Sequence, residues 1–219
     1  MGSNLDVYII NAPIDTMGAF HFSLWSQGGM FMKKHLYLMI ITALGTAMFF
    51  VIGKFLAIPT PIPNFALFLQ YAVLIVFSFY FGPTVGFGIG FLGHFLIDLL
   101  SGYGLWFSWI MSSAVFGLLV GLTSYLINKR PNPYKISEML LFILFTTLSG
   151  ALCWGLIAPS GDIFIYQEPI DVVWVEGVIA FASNVVSSLL IGIPIIYGLR
   201  RVRIPYSIAN KEENTNASM

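Results

Sequence analysis

The sequence predicts an all-α, polytopic membrane protein built as a bundle of six transmembrane helices. Three observations carry that expectation. Of 219 residues, 58% are hydrophobic. Only 9% are charged, against roughly 25% in an ordinary soluble domain. Mean hydropathy is +0.86, and the apolar residues are gathered into long runs. Charge this sparse cannot coat a water-exposed surface of this size, so lipid must cover much of it. The formal net charge is zero, which gives no case for a nucleic-acid partner.

A spanning helix needs about 20 mostly apolar residues. The first such run extends from Leu36 to Ala57. Ile58-Pro59-Thr60-Pro61-Ile62-Pro63-Asn64 follows, and three prolines at alternate positions favour an extended segment over a helix. The second span covers Phe68 to Phe81 and stops at Gly82-Pro83. The third, Val85 to Leu100, is rich in glycine, which lets neighbouring helices approach closely. The loop 101–106 leads to a fourth span from Ser108 to Ile127. After a polar, basic stretch, the fifth runs from Glu138 to Ala158. Residues 159–169 read as an acidic, aromatic loop, and the sixth span covers Val172 to Leu199.

Three segments are expected: a front extension, 1–31, a membrane domain, 32–203, and a disordered polar tail, 204–219. The extension has no basic region ahead of an apolar core, so it is not a secretory signal. It reads either as a disordered cytoplasmic extension or as sequence upstream of a natural start at Met32, with Gln27-Gly28-Gly29 matching purine-rich codons.

Orientation follows the basic residues. With six spans, both termini and the 128–137 connection share one side. That side holds Lys33, Lys34, Lys129, Arg130, Lys135, Arg200, Arg201, Arg203 and Lys211, all but Lys54 of the ten lysines and arginines. It is expected to be cytoplasmic. The opposite connections contain no basic residue but carry Asn64, Tyr103, Trp106, Asp162, Tyr166, Gln167 and Glu168. Aromatic rings with a few polar groups are what a small-molecule pocket uses for stacking and orientation. Taken one by one, the same rings fit an interfacial aromatic belt.

Within the spans, His94 and Asp98 stand four apart and share a helix face. Ionisable groups in a membrane are costly and usually mark function. The pair reads as a ligand contact, a proton relay or a structural tie between spans. Lys54 reads as an anion contact, a partner for Asp98 or a side chain snorkelling to the interface. Trp154 and Asn184 line the same interior or act as packing contacts. Ala43-x-x-x-Ala47 forms a flat strip where another helix can dock. Catalysis finds no support, since the chain has neither a nucleotide-binding glycine loop nor a zinc-type His-Glu-x-x-His. His21, His35 and His94 are scattered and Cys153 is alone, so no metal or other cofactor is implied.

Four segments in order resemble one family. They are Ile58-Pro59-Thr60-Pro61-Ile62-Pro63-Asn64, Phe81-Gly82-Pro83-x-Val85-Gly86-Phe87, Gly93-His94-x-x-x-Asp98, and the stretch from Trp154-Gly155 through Gly161-Asp162 to Tyr166-x-Glu168-Pro169. Over roughly residues 33–203 the chain resembles the substrate-binding subunits (S components) of energy-coupling factor transporters, in particular their riboflavin-type branch. The resemblance implies a six-helix subunit that captures a vitamin from outside. It implies partners as well: a transmembrane coupling subunit, met by the Ala43/Ala47 strip, and two cytoplasmic ATPases. Riboflavin is the ligand by that label; a thiamine precursor, a vitamin B6 form or cobalamin would also use aromatic walls. The expected site is Asn64, His94, Asp98, Trp106, Trp154, Asp162, Tyr166, Glu168 and Asn184. A reading from another class is a self-sufficient proton-coupled secondary transporter or channel working through His94 and Asp98.

Overall fold

Each apolar run folds as a helix, because in lipid the backbone must satisfy its own polar groups. The computed structural model of the chain describes residues 14–59, 66–102 and 104–202. Asn64, Tyr103 and the 204–219 tail lie outside the described residues, as do residues 1–13. The chain divides into two compact units, 1–38 and 39–219. The first holds the beginning of helix α1 (Ile14–Phe55). The second holds the remainder of α1 and everything described below.

The other helices are α2 (Gln70–Phe81), α3 (Pro83–Ser101), α4 (Phe107–Ile127), α5 (Ile136–Tyr166) and α6 (Ile170–Leu199). Five stretches, Lys34–Phe55 of α1 and the whole of α3 to α6, are long and apolar enough to cross a membrane. Helix α2 is shorter. Its 12 residues rise about 18 Å, less than a hydrocarbon core of about 30 Å. The chain ahead of α2 forms a minimal antiparallel pair, Ile58–Pro59 (β1) with Ala66–Leu67 (β2).

One expectation is corrected. Residues 159–169 are not a loop: α5 continues through them to Tyr166, leaving only 167–169 as a connector. A proline inside an α-helix clashes with the carbonyl four residues back and lacks an N–H. Here a π-helical segment, Cys153–Ile157, stands immediately before Ala158-Pro159. Its wider turn accommodates the proline at the start of a new α-helical segment. Helix α6 repeats the device, with Ser188–Gly192 ahead of Ile193-Pro194. Helix α5 ends at Gln167, whose φ of 59° turns the chain, and Glu168 N–H closes back on Asp162 O at 3.3 Å.

Helices α3 and α4 pack through bare backbone. A methyl on Gly86 would strike the carbonyl of Gly117, and one on Gly117 the carbonyl of Gly86. Gly90 meets Ser113, and Gly121 meets Pro83, in the same seam. Polar side chains tie neighbouring helices to it. Ser124 Oγ donates to Ser78 O at 2.9 Å and Asn128 Nδ2 to Phe79 O at 3.0 Å. The largest fully buried side chains are aromatic: Phe49, Phe79, Phe116, Phe142 and Trp154.

Candidate functional site

The α3–α4 seam places a short row of polar groups inside the bundle. Because Gly90 admits the Ser113 backbone, Ser113 Oγ lies 2.7 Å from His94 Nδ1. Its other neighbour is the Tyr71 hydroxyl on α2, at 2.8 Å. His94 Nε2 faces Asp98 Oδ1 at 3.5 Å, one turn along α3. Asp98 Oδ2 in turn accepts the Trp106 backbone N–H at 3.0 Å, at the start of α4. One row therefore connects α2, α4, α3 and the segment between α3 and α4.

That segment, 102–106, needs glycine at its bends: Gly102 and Gly104 have φ of 78° and 91°, a region that side chains with a Cβ disfavour. It is held from α5. The Tyr166 hydroxyl donates to Leu105 O at 3.1 Å and accepts Phe107 N–H at 2.8 Å. The Tyr166 ring lies against Trp106, with centroids 4.6 Å apart. Asp162, 1% exposed, accepts hydrogen bonds from Ser108 Oγ and, at 2.6 Å, from Trp109 Nε1. Gly161 makes this possible, since a side chain there would collide with Ser108.

A cavity of about 720 Å³ opens beside this framework, within the range typical of small-molecule sites. His94, Asp98, Trp106 and Asn184 stand in its wall. A smaller chamber of about 370 Å³ shares His94, Asp98 and Trp106 and adds Asp162 and Glu168. The structure thus brings together six of the nine residues expected from sequence. Tyr166 is not in either wall but anchors the segment that carries Trp106. Trp154 is 0% exposed and sits behind the cavity, packed on Tyr71 and Phe116 with centroids 4.8 and 4.6 Å apart. Asn64 lies outside the described residues. Lys54 neither enters the cavity nor pairs with Asp98; its Nζ donates to Leu100 O and Ser101 Oγ, at 3.2 and 3.1 Å, closing the C-terminal end of α3.

Several wall residues went unread in the sequence: Gln70, Tyr71, Trp109, Asp171 and Glu176. Glu176 carried a usable signal, being a carboxylate within an apolar run, the same criterion that singled out Asp98. Tyr71 and Ser113 carried none, because only the pairing of helices shows that they meet. Ala43 and Ala47 are exposed on α1, in a row with Ile40, Leu44, Met48 and Val51, which are also exposed.

Comparison with known proteins adds a family to this geometry. Residues 33–201 match the family model described as ECF-type riboflavin transporter, S component. The chain is 42% identical over 153 residues to a UPF0397 protein of Streptococcus pneumoniae strain CGSP14, covering 70% of this chain and 84% of that protein. UPF0397 proteins of strains P1031 and Taiwan19F-14 match with the same identity and coverage. A family model spanning most of the chain, with every apolar helix inside the matched region except the front of α1, leaves one conclusion: the chain belongs to the S-component family of ECF-type riboflavin transporters.

Proposed function

We propose that the chain takes up a vitamin or vitamin precursor from the outer face of the cell membrane into the cavity beneath the 102–106 segment. Membership of the family carries the coarser statement, a multi-pass membrane protein that binds substrate in vitamin transport and associates with partners of the ECF module. The observation that supports the finer one is the cavity itself. About 720 Å³ is walled by aromatic and polar side chains of α2, α3, α4 and α6, with the Gly53 backbone of α1, beside helix-connecting segments without lysine or arginine. Positive-inside asymmetry supports an orientation with both termini in the cytoplasm and the cavity at the outer end. Riboflavin is the ligand the family description names.

Energy comes from partners in this reading: a transmembrane coupling subunit and two cytoplasmic ATPases. The exposed Ala43/Ala47 strip supports docking to the first, because small residues let a partner helix approach closely. Proton-driven transport by the chain alone has less support. The row from Asp98 through His94 and Ser113 ends at Tyr71, whose ring borders the cavity and packs on its far side against Phe49, Phe116 and Trp154. An apolar stop of this kind suits a binding site rather than a proton path.

The test is direct. Detergent-purified protein is extracted and its small molecules identified by mass spectrometry, and the protein is then reconstituted into liposomes with and without the ATP-driven partners. A co-purifying vitamin-like molecule and uptake only with partners and ATP are expected. An empty extract, or uptake driven by a proton gradient without partners, overturns the proposal.

A further inference from the structure

The charge of the two chambers is one-sided. Asp98, Asp171 and Glu176 stand in the wall of the larger. Asp98, Glu176, Asp162 and Glu168 stand in the wall of the smaller. Among the described residues no lysine or arginine lines either one, and the sole basic side chain in the walls is His94. Its Nε2 already faces Asp98, and its Nδ1 faces Ser113. Asp162 is consumed by Ser108 and Trp109, and Asp98 by Trp106 N–H and His94. Asp171 in the larger chamber, Glu168 in the smaller and Glu176 in both remain as carboxylates.

A second, independent observation points the same way. Gln70 and Asn184 both stand in the wall of the larger chamber and are only 5% and 2% exposed. Gln70 Oε1 and Asn184 Oδ1 find no hydrogen-bond partner among the described residues. A buried polar atom without a partner is costly, and polar groups this deep are normally satisfied. A turn of either carboxamide presents an acceptor to whatever occupies the chamber. Acceptors without partners call for an occupant that brings N–H or O–H donors. Four aromatic rings, Phe68, Tyr71, Trp106 and Trp109, complete the wall; the faces of such rings attract cations.

We infer that the ligand is a compact organic cation bearing N–H donors, a protonated amine or a charged, amino-substituted nitrogen heterocycle, held by Glu176 and Asp171 and by the carboxamides of Gln70 and Asn184. This rests on the proposed capture of a vitamin-like molecule in this cavity and narrows its class. A flavin, neutral over its ring system, leaves the carboxylates without a counter-charge.

The experiment is a fluorescence titration of the purified protein, read from tryptophan quenching and confirmed with radiolabelled probe. Two cationic probes, thiamine and pyridoxamine, are set against two neutral ones, riboflavin and pyridoxine. The wild type is compared with Glu176→Gln and with the pair Gln70→Leu and Asn184→Leu. Glu176→Gln keeps the shape of an accessible side chain, and a monodisperse elution profile and unchanged melting temperature confirm that each variant is folded. At least one cationic probe is expected to bind tenfold or more tightly than either neutral one. Glu176→Gln is expected to weaken the cation at least tenfold and leave any neutral probe unaffected. Preferential binding of riboflavin or pyridoxine, or a cation affinity untouched by Glu176→Gln in folded protein, overturns the inference while leaving vitamin capture standing. If no probe binds, the molecule extracted from the purified protein decides: a cation at neutral pH supports the inference, and a neutral or anionic molecule overturns it. Binding of none of the four together with an empty extract overturns the capture reading itself.

Discussion

Asp98 joins three things at once: it faces His94, receives the backbone N–H of Trp106 and borders both chambers. Removing its carboxylate frees the 102–106 segment and strips the wall of an acceptor. Asp98→Ala is expected to weaken ligand binding about tenfold, the scale of one lost buried hydrogen bond, and Trp106→Ala to weaken it through the loss of its ring from the wall, as read by titration of purified protein. Unchanged affinity in both places the pocket elsewhere. Tyr166 acts at one remove, through its hydroxyl on Leu105 and Phe107. Tyr166→Phe keeps the ring against Trp106 and removes both hydrogen bonds. Several-fold faster ligand release with little change in melting temperature is expected in stopped-flow measurements, and release at the wild-type rate argues against a positioning role. At this scale the sequence was half legible. A carboxylate or histidine in an apolar run stands out, which singled out His94 and Asp98 and should have singled out Glu176. Tyr71 and Ser113 are ordinary residues in apolar helices, and only the packing of α2 and α4 against α3 makes them neighbours of His94.

The helices themselves were readable because lipid leaves few alternatives for a long apolar run. The misreading at 159–169 has a physical cause. Proline, serine, glycine and two acids in succession are ordinary loop chemistry, and the sequence does not announce that a π-helical turn over Cys153–Ile157 will absorb Pro159. The continuation matters for the site, because it carries Asp162 to Ser108 and Trp109, and Tyr166 to Leu105. Helix contact through bare backbone is the other decisive feature. In Gly117→Val the new side chain meets the Gly86 carbonyl, and overpacking of a tight seam typically costs about 1–3 kcal/mol. A clearly lowered melting temperature in detergent is expected, with weaker ligand binding, since the seam also positions Ser113. Gly155→Ala is the matched control: nothing lies within 4 Å of an added methyl there. Its melting temperature is expected to stay at or above that of the wild type, and an equal loss in both variants refutes the seam as the cause.

For the molecule as a whole, binding and docking fall on separate surfaces, so they should be separable by mutation. The cavity takes Gly53 from α1, while Gly45 of the same helix faces Ile89 and Phe77. Ala43 and Ala47 lie on another side, exposed among Ile40, Leu44, Met48 and Val51. For a lone membrane protein such a face meets only lipid, which is indifferent to side-chain size so long as it is apolar. A partner helix is not indifferent, because close approach depends on small side chains. Replacing Ala43 and Ala47 together with leucine therefore distinguishes the two environments. Against lipid, the double variant behaves as wild type throughout. Against a partner, it binds ligand with unchanged affinity as isolated protein, yet fails to co-purify with the coupling subunit and loses ATP-dependent uptake in liposomes. The second pattern is expected. Full uptake by the double variant removes the docking role from α1 and leaves the ligand site intact, since no wall residue is altered.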